Sequence, residues 1–351
     1  METLEVSKIS TLYKNQKEEK LFGKWITLTD ITPLIEKHKD KFTISTIGFS
    51  EENKAIYSLQ IGSGDKKILV WSQMHGNEST GTRAMFDLFN CFSYANDFFL
   101  EKILKECTLI FVPILNPDGA EKYTRVNANG IDLNRDAVNR VAKESKVLRS
   151  LLEKLKPSFC FNLHDQRTIF NVEGTKNTAT ISFLAPSEEE SRSITPGRIE
   201  TMNVIVGIDA LLQKIIPGHV GRYTDEFYPT ATGDNFQKLG YNTVLIESGH
   251  YPNDYQRENT RAFTFYSILQ GIYHIATSLT FKEYKPYFKI PNNDKVFLDV
   301  IHRFDNKDDV GYLYEDQIIN KKLVSNLVKV EDFNISDKVG HHEIVFESKK
   351  N

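Results

Sequence analysis

"KKILVWSQMHGNESTGTRAMFDLFNCF", residues 66–92, decides the fold. Its first half reads as a continuous apolar strand that stops at Met74-His75-Gly76. From Ser79 onward the spacing turns helical, with Met85, Leu88, Phe89 and Phe92 on one face. A strand passing through a short polar loop into a helix is the unit of a sheet covered by helices. The chain repeats this alternation on both sides. "FTISTIG" (42–48) and "AIYSLQIG" (55–62) read as strands joined by a polar turn, and "CTLIFVPILNPDG" (107–119) as a strand running into a turn. "AVNRVAKESKVLRSLLEKL" (137–155) is an amphipathic helix ended by Pro157, and "SFCFNLHD" (158–165) and "NTVLIESG" (242–249) are short apolar strands. A closing helix is expected at about 258–280. The expectation is an α/β domain over residues 1–280. Residues 281–351, rich in lysine and aspartate with pieces such as "KVFLDVI" and "HHEIVFE", form a small β-rich appendage without chemistry of its own. His341-His342 there reads as a solvated strand edge.

The 351 residues are 40% hydrophobic and 26% charged, with a net charge of −3. That balance argues against a nucleic-acid or anionic-membrane partner held by bulk charge, and leaves small molecules and peptides. Cys91, Cys107 and Cys160 make neither a disulfide framework nor a CxxC site. The start lacks the basic and apolar regions of a signal peptide, and no apolar stretch approaches the ~20 residues that span a bilayer. The expected location is cytoplasmic.

Three apolar strands end in titratable residues: His75 and Glu78 after the first, His164 on the second, and Glu247 on the third. Ligands of open α/β sheets bind beyond the carboxyl ends of the strands. Singly, His164 also reads as a satisfied buried histidine, and Glu247 as an ordinary strand-end carboxylate. Together, two imidazoles and a carboxylate with one position left open are the catalytic zinc pattern. His75, Glu78 and His164 are then the ligands of one zinc ion, and Glu247 is the general base that moves a proton from water to the leaving nitrogen. A second cluster, "NPDGAEKYTRVNANGIDLNRD" (116–136), opens on a turn signal and supplies Arg125, Asn134 and Arg135. The guanidinium fork of Arg135 suits a carboxylate, with Asn134 as a further donor, and Arg125 suits an oxyanion. The same loop also reads as a solvated charge cluster.

His75-x-x-Glu78, "NPDG", Arg125, "DLNR" (132–135), His164 and Glu247 resemble, in order and rough spacing, the M14-type zinc carboxypeptidase family over about residues 10–280. The resemblance implies a mixed, mostly parallel eight-stranded sheet with helices on both faces. It also implies one zinc ion on His75, Glu78 and His164, catalysis by Glu247 and Arg125, and substrate binding by Asn134 and Arg135. The family's mobile tyrosine falls best on Tyr228, then on Tyr223. Two features bear on the substrate. "TRVNANGIDLNR" and the Gly76-Asn77 pair look more like bacterial murein-peptide amidases than digestive members, and "HGNE" also looks like aspartoacylase and succinylglutamate desuccinylase. "NPDG" favours the peptidase side. Asp165 and Arg167 after His164 read either as a polar subsite or as neighbours that orient His164. The expected activity is hydrolysis of a peptide or amide bond beside a free carboxylate. The rivals are an N-acyl amino-acid deacylase, a murein-peptide amidase and a non-catalytic binding module.

Overall fold

Ile68 and Val70 pack on one side of a sheet and Leu69 and Trp71 on the other, and all four are fully buried. A strand covered on both faces shows no polar alternation, which is why this run is apolar throughout. The computed structural model describes residues 2–331 and 334–347. The strands before residue 281 are β1 (Thr43–Phe49), β2 (Ala55–Ile61), β3 (Lys66–Trp71), β4 (Cys107–Val112), β5 (Phe159–Asp165), β6 (Phe170–Val172), β7 (Ile181–Leu184), β8 (Val220–Arg222) and β9 (Asn242–Ser248). All but β6 join an eight-stranded sheet in the order β1-β2-β4-β3-β5-β9-β7-β8. Pairs β3–β4, β3–β5, β5–β9 and β7–β8 are parallel; β1–β2, β2–β4 and β7–β9 are antiparallel. The expected mixed sheet is therefore present.

Helices α1 (Val6–Gln16) and α2 (Leu28–Lys37) precede β1, and α3 (Thr80–Tyr94), α4 (Phe98–Glu106), α5 (Pro117–Lys122), α6 (Lys143–Leu155), α7 (Pro196–Leu212), α8 (Thr232–Lys238) and α9 (Glu258–Thr277) lie between or after the strands. The larger core joins α1, α2, α3, α4, α7 and α9 to one face of the sheet, whereas Leu148 and Leu152 of α6 and Phe236 of α8 cover the other. The centre of α9 is apolar nearly all round because the sheet and neighbouring helices enclose it.

The "NPDG" turn proves to be a helix start. Asn116 caps α5 by accepting the Gly119 amide at 2.9 Å, and Pro117 sits at the first helical position, where its missing N–H costs nothing. Among the described residues, no helix is long and apolar enough to cross a membrane.

Beyond α9, β10 (Asn293–Lys295) pairs with β6. Then β11 (Phe297–Phe304), β12 (Val310–Ile319), β13 (Lys322–Lys329) and β14 (Val339–Phe346) form a four-stranded sheet in the order β13-β12-β11-β14. Its own core is small, built on Leu298, Ile301 and Ile335. His341 is not the solvated edge expected of it. Its ring stacks on Phe297 at 4.5 Å and meets His250, in the loop after β9, at 4.3 Å.

Candidate active site

Parallel strands β3, β5 and β9 lie side by side, so their carboxyl ends open onto one edge. In that register His164 on β5 is the direct partner of Glu247 on β9. His75 and Glu78 come from the loop that leaves β3. The loop is held by Gln73, whose backbone is left-handed (φ 44°) and whose amide donates to the carbonyls of Ile26 at 3.0 Å and Gly76 at 2.8 Å. A non-glycine residue in that conformation is backbone strain kept at a functional loop. Asn116 ties the loop to α5 by donating to the Met74 carbonyl at 3.2 Å. Gly76 does not have the positive φ that a freedom-giving glycine would show; a Cβ there would lie 2.0 Å from the Gly119 carbonyl carbon. Close approach of α5, rather than turn freedom, requires glycine.

The potential ligand atoms of His75, Glu78 and His164 all lie within 4.8 Å of one another, and all three side chains are buried. Nδ1 of His75 and Nδ1 of His164 face the Glu78 carboxylate at 2.8 and 2.9 Å, and the two nitrogens are 3.1 Å apart. Nε2 of His75 is held by Asp132 at 3.0 Å, so Nδ1 is the nitrogen it would offer to a metal. Two imidazole nitrogens and one carboxylate in a buried cluster fit a zinc ion.

The charges also ask for a cation. Burial pulls the His75 pKa down, but the Glu78 charge and hydrogen bonds to Asp132 and Glu78 overcome it and raise it to about 9. Glu78 is held well below the usual carboxylate range because His75 and His164 outweigh its burial. Glu247 is pushed well above that range by burial and by the negative charge of Glu78.

Around this centre lies a cleft of about 620 Å³. His75, Glu78, Arg125, Asn134, Arg135, His164, Tyr223, Tyr228 and Glu247 all line it, as do Asp165 and Arg167. Arg125 donates to Asp132 at 3.0 Å and to Glu78 at 3.4 Å. Thr232 at the start of α8 donates its amide to Asn134 Oδ1 at 3.0 Å, and the guanidinium of Arg135 reaches the Asn134 carbonyl at 2.7 Å. The Tyr223 hydroxyl donates to Gln166 at 2.8 Å inside the cleft, whereas half-exposed Tyr228 stands at the rim with its hydroxyl on Glu226 at 2.7 Å. Asp165 accepts from both the amide and the hydroxyl of Thr80, which starts α3.

Two participants escaped the sequence reading. Asp132 stood inside "DLNR" without a role, and only its contact with His75 reveals one. Arg257, also left-handed (φ 58°), clamps the functional strand ends by donating to Ser248, Gly249 and Gln166 carbonyls. Nothing in the local sequence marks it.

A family model described as zinc carboxypeptidase matches residues 29–180. Probable carboxypeptidase 2 of Trichophyton verrucosum is 28% identical over 102 residues, 28% of this chain and 20% of that enzyme. Carboxypeptidase D of Mus musculus is 29% identical over 168 residues, 40% of this chain and 12% of that protein. The chain thus spans about a fifth or less of the length of these relatives. The metallo-carboxypeptidase of Burkholderia cenocepacia has a similar fold at 16% identity, with a TM-score of 0.58 over 72% of this chain and 70% of that one. Carboxypeptidase A of Helicoverpa armigera superposes with a TM-score of 0.56 at 14% identity, over 78% and 81% of the two chains. The partial family match, the similar fold and a buried His-Glu-His group beside Glu247 make this chain similar to the M14-type zinc carboxypeptidases.

Proposed function

We propose that this protein is a zinc-dependent hydrolase of the carboxypeptidase type, cutting a peptide or amide bond beside a free carboxylate. One observation carries the reading: His75, Glu78 and His164 converge next to Glu247, in one cleft with Arg125, Asn134 and Arg135. His75, Glu78 and His164 would hold the zinc ion, whose Lewis acidity would acidify a water and polarise the substrate carbonyl. Glu247 takes the proton from water and hands it to the leaving nitrogen. Arg125 turns from Glu78 and Asp132 to the oxyanion. Arg135 grips the terminal carboxylate, with Asn134 beside it. Tyr228 at the rim and Tyr223 inside are the candidates for a tyrosine that closes on the substrate.

The test is Glu247→Gln, assayed on peptides and N-acyl amino acids with and without chelator. Turnover should drop by roughly 10²–10⁴ with one zinc still bound per chain; turnover retained by the variant refutes the role of Glu247.

A further inference from the structure

The cleft has a wall that the chemistry above does not use. Asp299, Leu313, Tyr314 and Asp316 of the small carboxyl-terminal sheet line it together with the metal ligands and Glu247. The wall is fastened at three places, each meeting a loop that leaves a functional strand. Asp316 is ion-paired with Lys24, whose carbonyl accepts from the Ser79 hydroxyl at 2.6 Å, next to Glu78. His341 donates from Nε2 to the Thr168 carbonyl at 2.9 Å, in the loop that follows His164. Tyr255 donates to Asp299 at 3.1 Å, and its ring lies 4.8 Å from His250, in the loop that follows Glu247.

The end of the cleft that holds Asn134 and Arg135 is built from a different stretch, bordered by Thr232, Tyr228 and Asp234. A substrate with its carboxylate at Arg135 and its scissile carbonyl at the metal ligands must send the rest of its chain away from that end. Tyr255 and Tyr314, ring centroids 5.1 Å apart, and Leu313 line the same cleft, on the side of the loops that follow Glu78, His164 and Glu247. The carboxylates of the wall are already occupied. Asp299 takes the Tyr255 hydroxyl and the Tyr314 amide at 2.8 Å, and Asp316 takes Lys24, Tyr123 and Ser325. The wall therefore presents rings and an aliphatic side chain, and acts by exclusion rather than by attracting a charge. A volume of about 620 Å³ is that of a small-molecule site.

We propose that the four-stranded carboxyl-terminal sheet is a specificity element, a wall centred on Leu313 and Tyr314. It limits the enzyme to short substrates: N-acyl amino acids and peptides with about one or two residues ahead of the scissile bond. This rests on the hydrolase reading above.

The test uses the full-length, zinc-loaded protein and a ladder of substrates: N-acetyl amino acids, then peptides with one to four alanines before a randomised carboxyl-terminal residue. Wild-type kcat/KM should fall by roughly tenfold or more between two and four alanines. Tyr314→Ala should raise the long-to-short ratio by a similar factor, and Tyr314→Trp should lower it. The same ladder is then read as Kd with Glu247→Gln, which leaves the peptides intact. Length-dependent Kd without wild-type turnover would refute the hydrolase reading and keep the wall. Turnover and Kd both independent of length would overturn the wall and keep the hydrolase. If Tyr314→Ala does not fold, the wild-type ladder and Tyr314→Trp decide.

Discussion

Gly76 and Asp132 fix the same loop by opposite means, one by the lack of a side chain and the other by a charge. At Gly76 a Cβ would meet backbone atoms of Gly119 and Ala120, which have no rotamer to escape into. Gly76→Ala should therefore lower stability by about 1–3 kcal/mol, read as a fall in Tm together with loss of the zinc site. Asp132 holds His75 by Nε2, and its own carboxyl is kept well below the usual range because the His75 hydrogen bond and charge and Arg125 outweigh its burial. Asp132→Asn should weaken zinc binding by roughly 10–100-fold in competition with a chelator. Unchanged affinity would make Asp132 a bystander. Of the residues around the metal group, those named from the sequence were the ones that end a strand or sit in a motif. Asp132 was overlooked because a second-layer carboxylate looks like any loop acid until its partner is known.

The elements that carry the chemistry were legible because each is buried on both faces and so stands out as an uninterrupted apolar run. Strands β3, β5 and β9 were read this way, and the helices α3, α6 and α9 from their period. Less visible were α5, hidden behind the turn-like composition of "NPDG", and the short β7 and β8, which lack the length to show a pattern. Arg257 was invisible for a different reason: its partners are carbonyls contributed by two strand ends distant in sequence. It satisfies Ser248 and Gly249 beyond Glu247, and Gln166 beyond His164. Removing it leaves the Ser248 carbonyl with the Gln166 amide and the Gly249 carbonyl with the Thr260 hydroxyl, and takes the guanidinium from the Gln166 carbonyl, a loss of about 1–3 kcal/mol where no water replaces it. Arg257→Ala should lower Tm and reduce kcat more than it raises KM, because it acts through the placement of His164 and Glu247. Arg257→Lys, which keeps the charge but not the fork, should recover only part of the loss.

For the whole molecule, two buried histidines far from the metal group contribute to its acid limit. His38 is lowered to about 4 by burial, with Lys37 adding and Glu18 opposing, and burial holds His274 at about 4 as well. An unfolded histidine takes its proton near 6.5, so below that pH the unfolded chain binds protons that the folded one refuses. Stability is thus fully present above about 6.5 and is lost as pH falls toward 4. Tm should decline across that window, and His274→Gln should flatten the decline. The appendage was read correctly as β-rich, but its place against the cleft could not be inferred from composition, since its contacts reach back to Lys24, Thr168 and Tyr255. The order of its strands has a further consequence. β14 lies parallel to β11, with β12 and β13 formed by the chain between them, so the edge that bears His341 depends on a non-local pairing, the kind of contact that forms late in folding. On the reading of the sheet as a wall, warming that frays β14 first makes the protein indiscriminate before it makes it inactive.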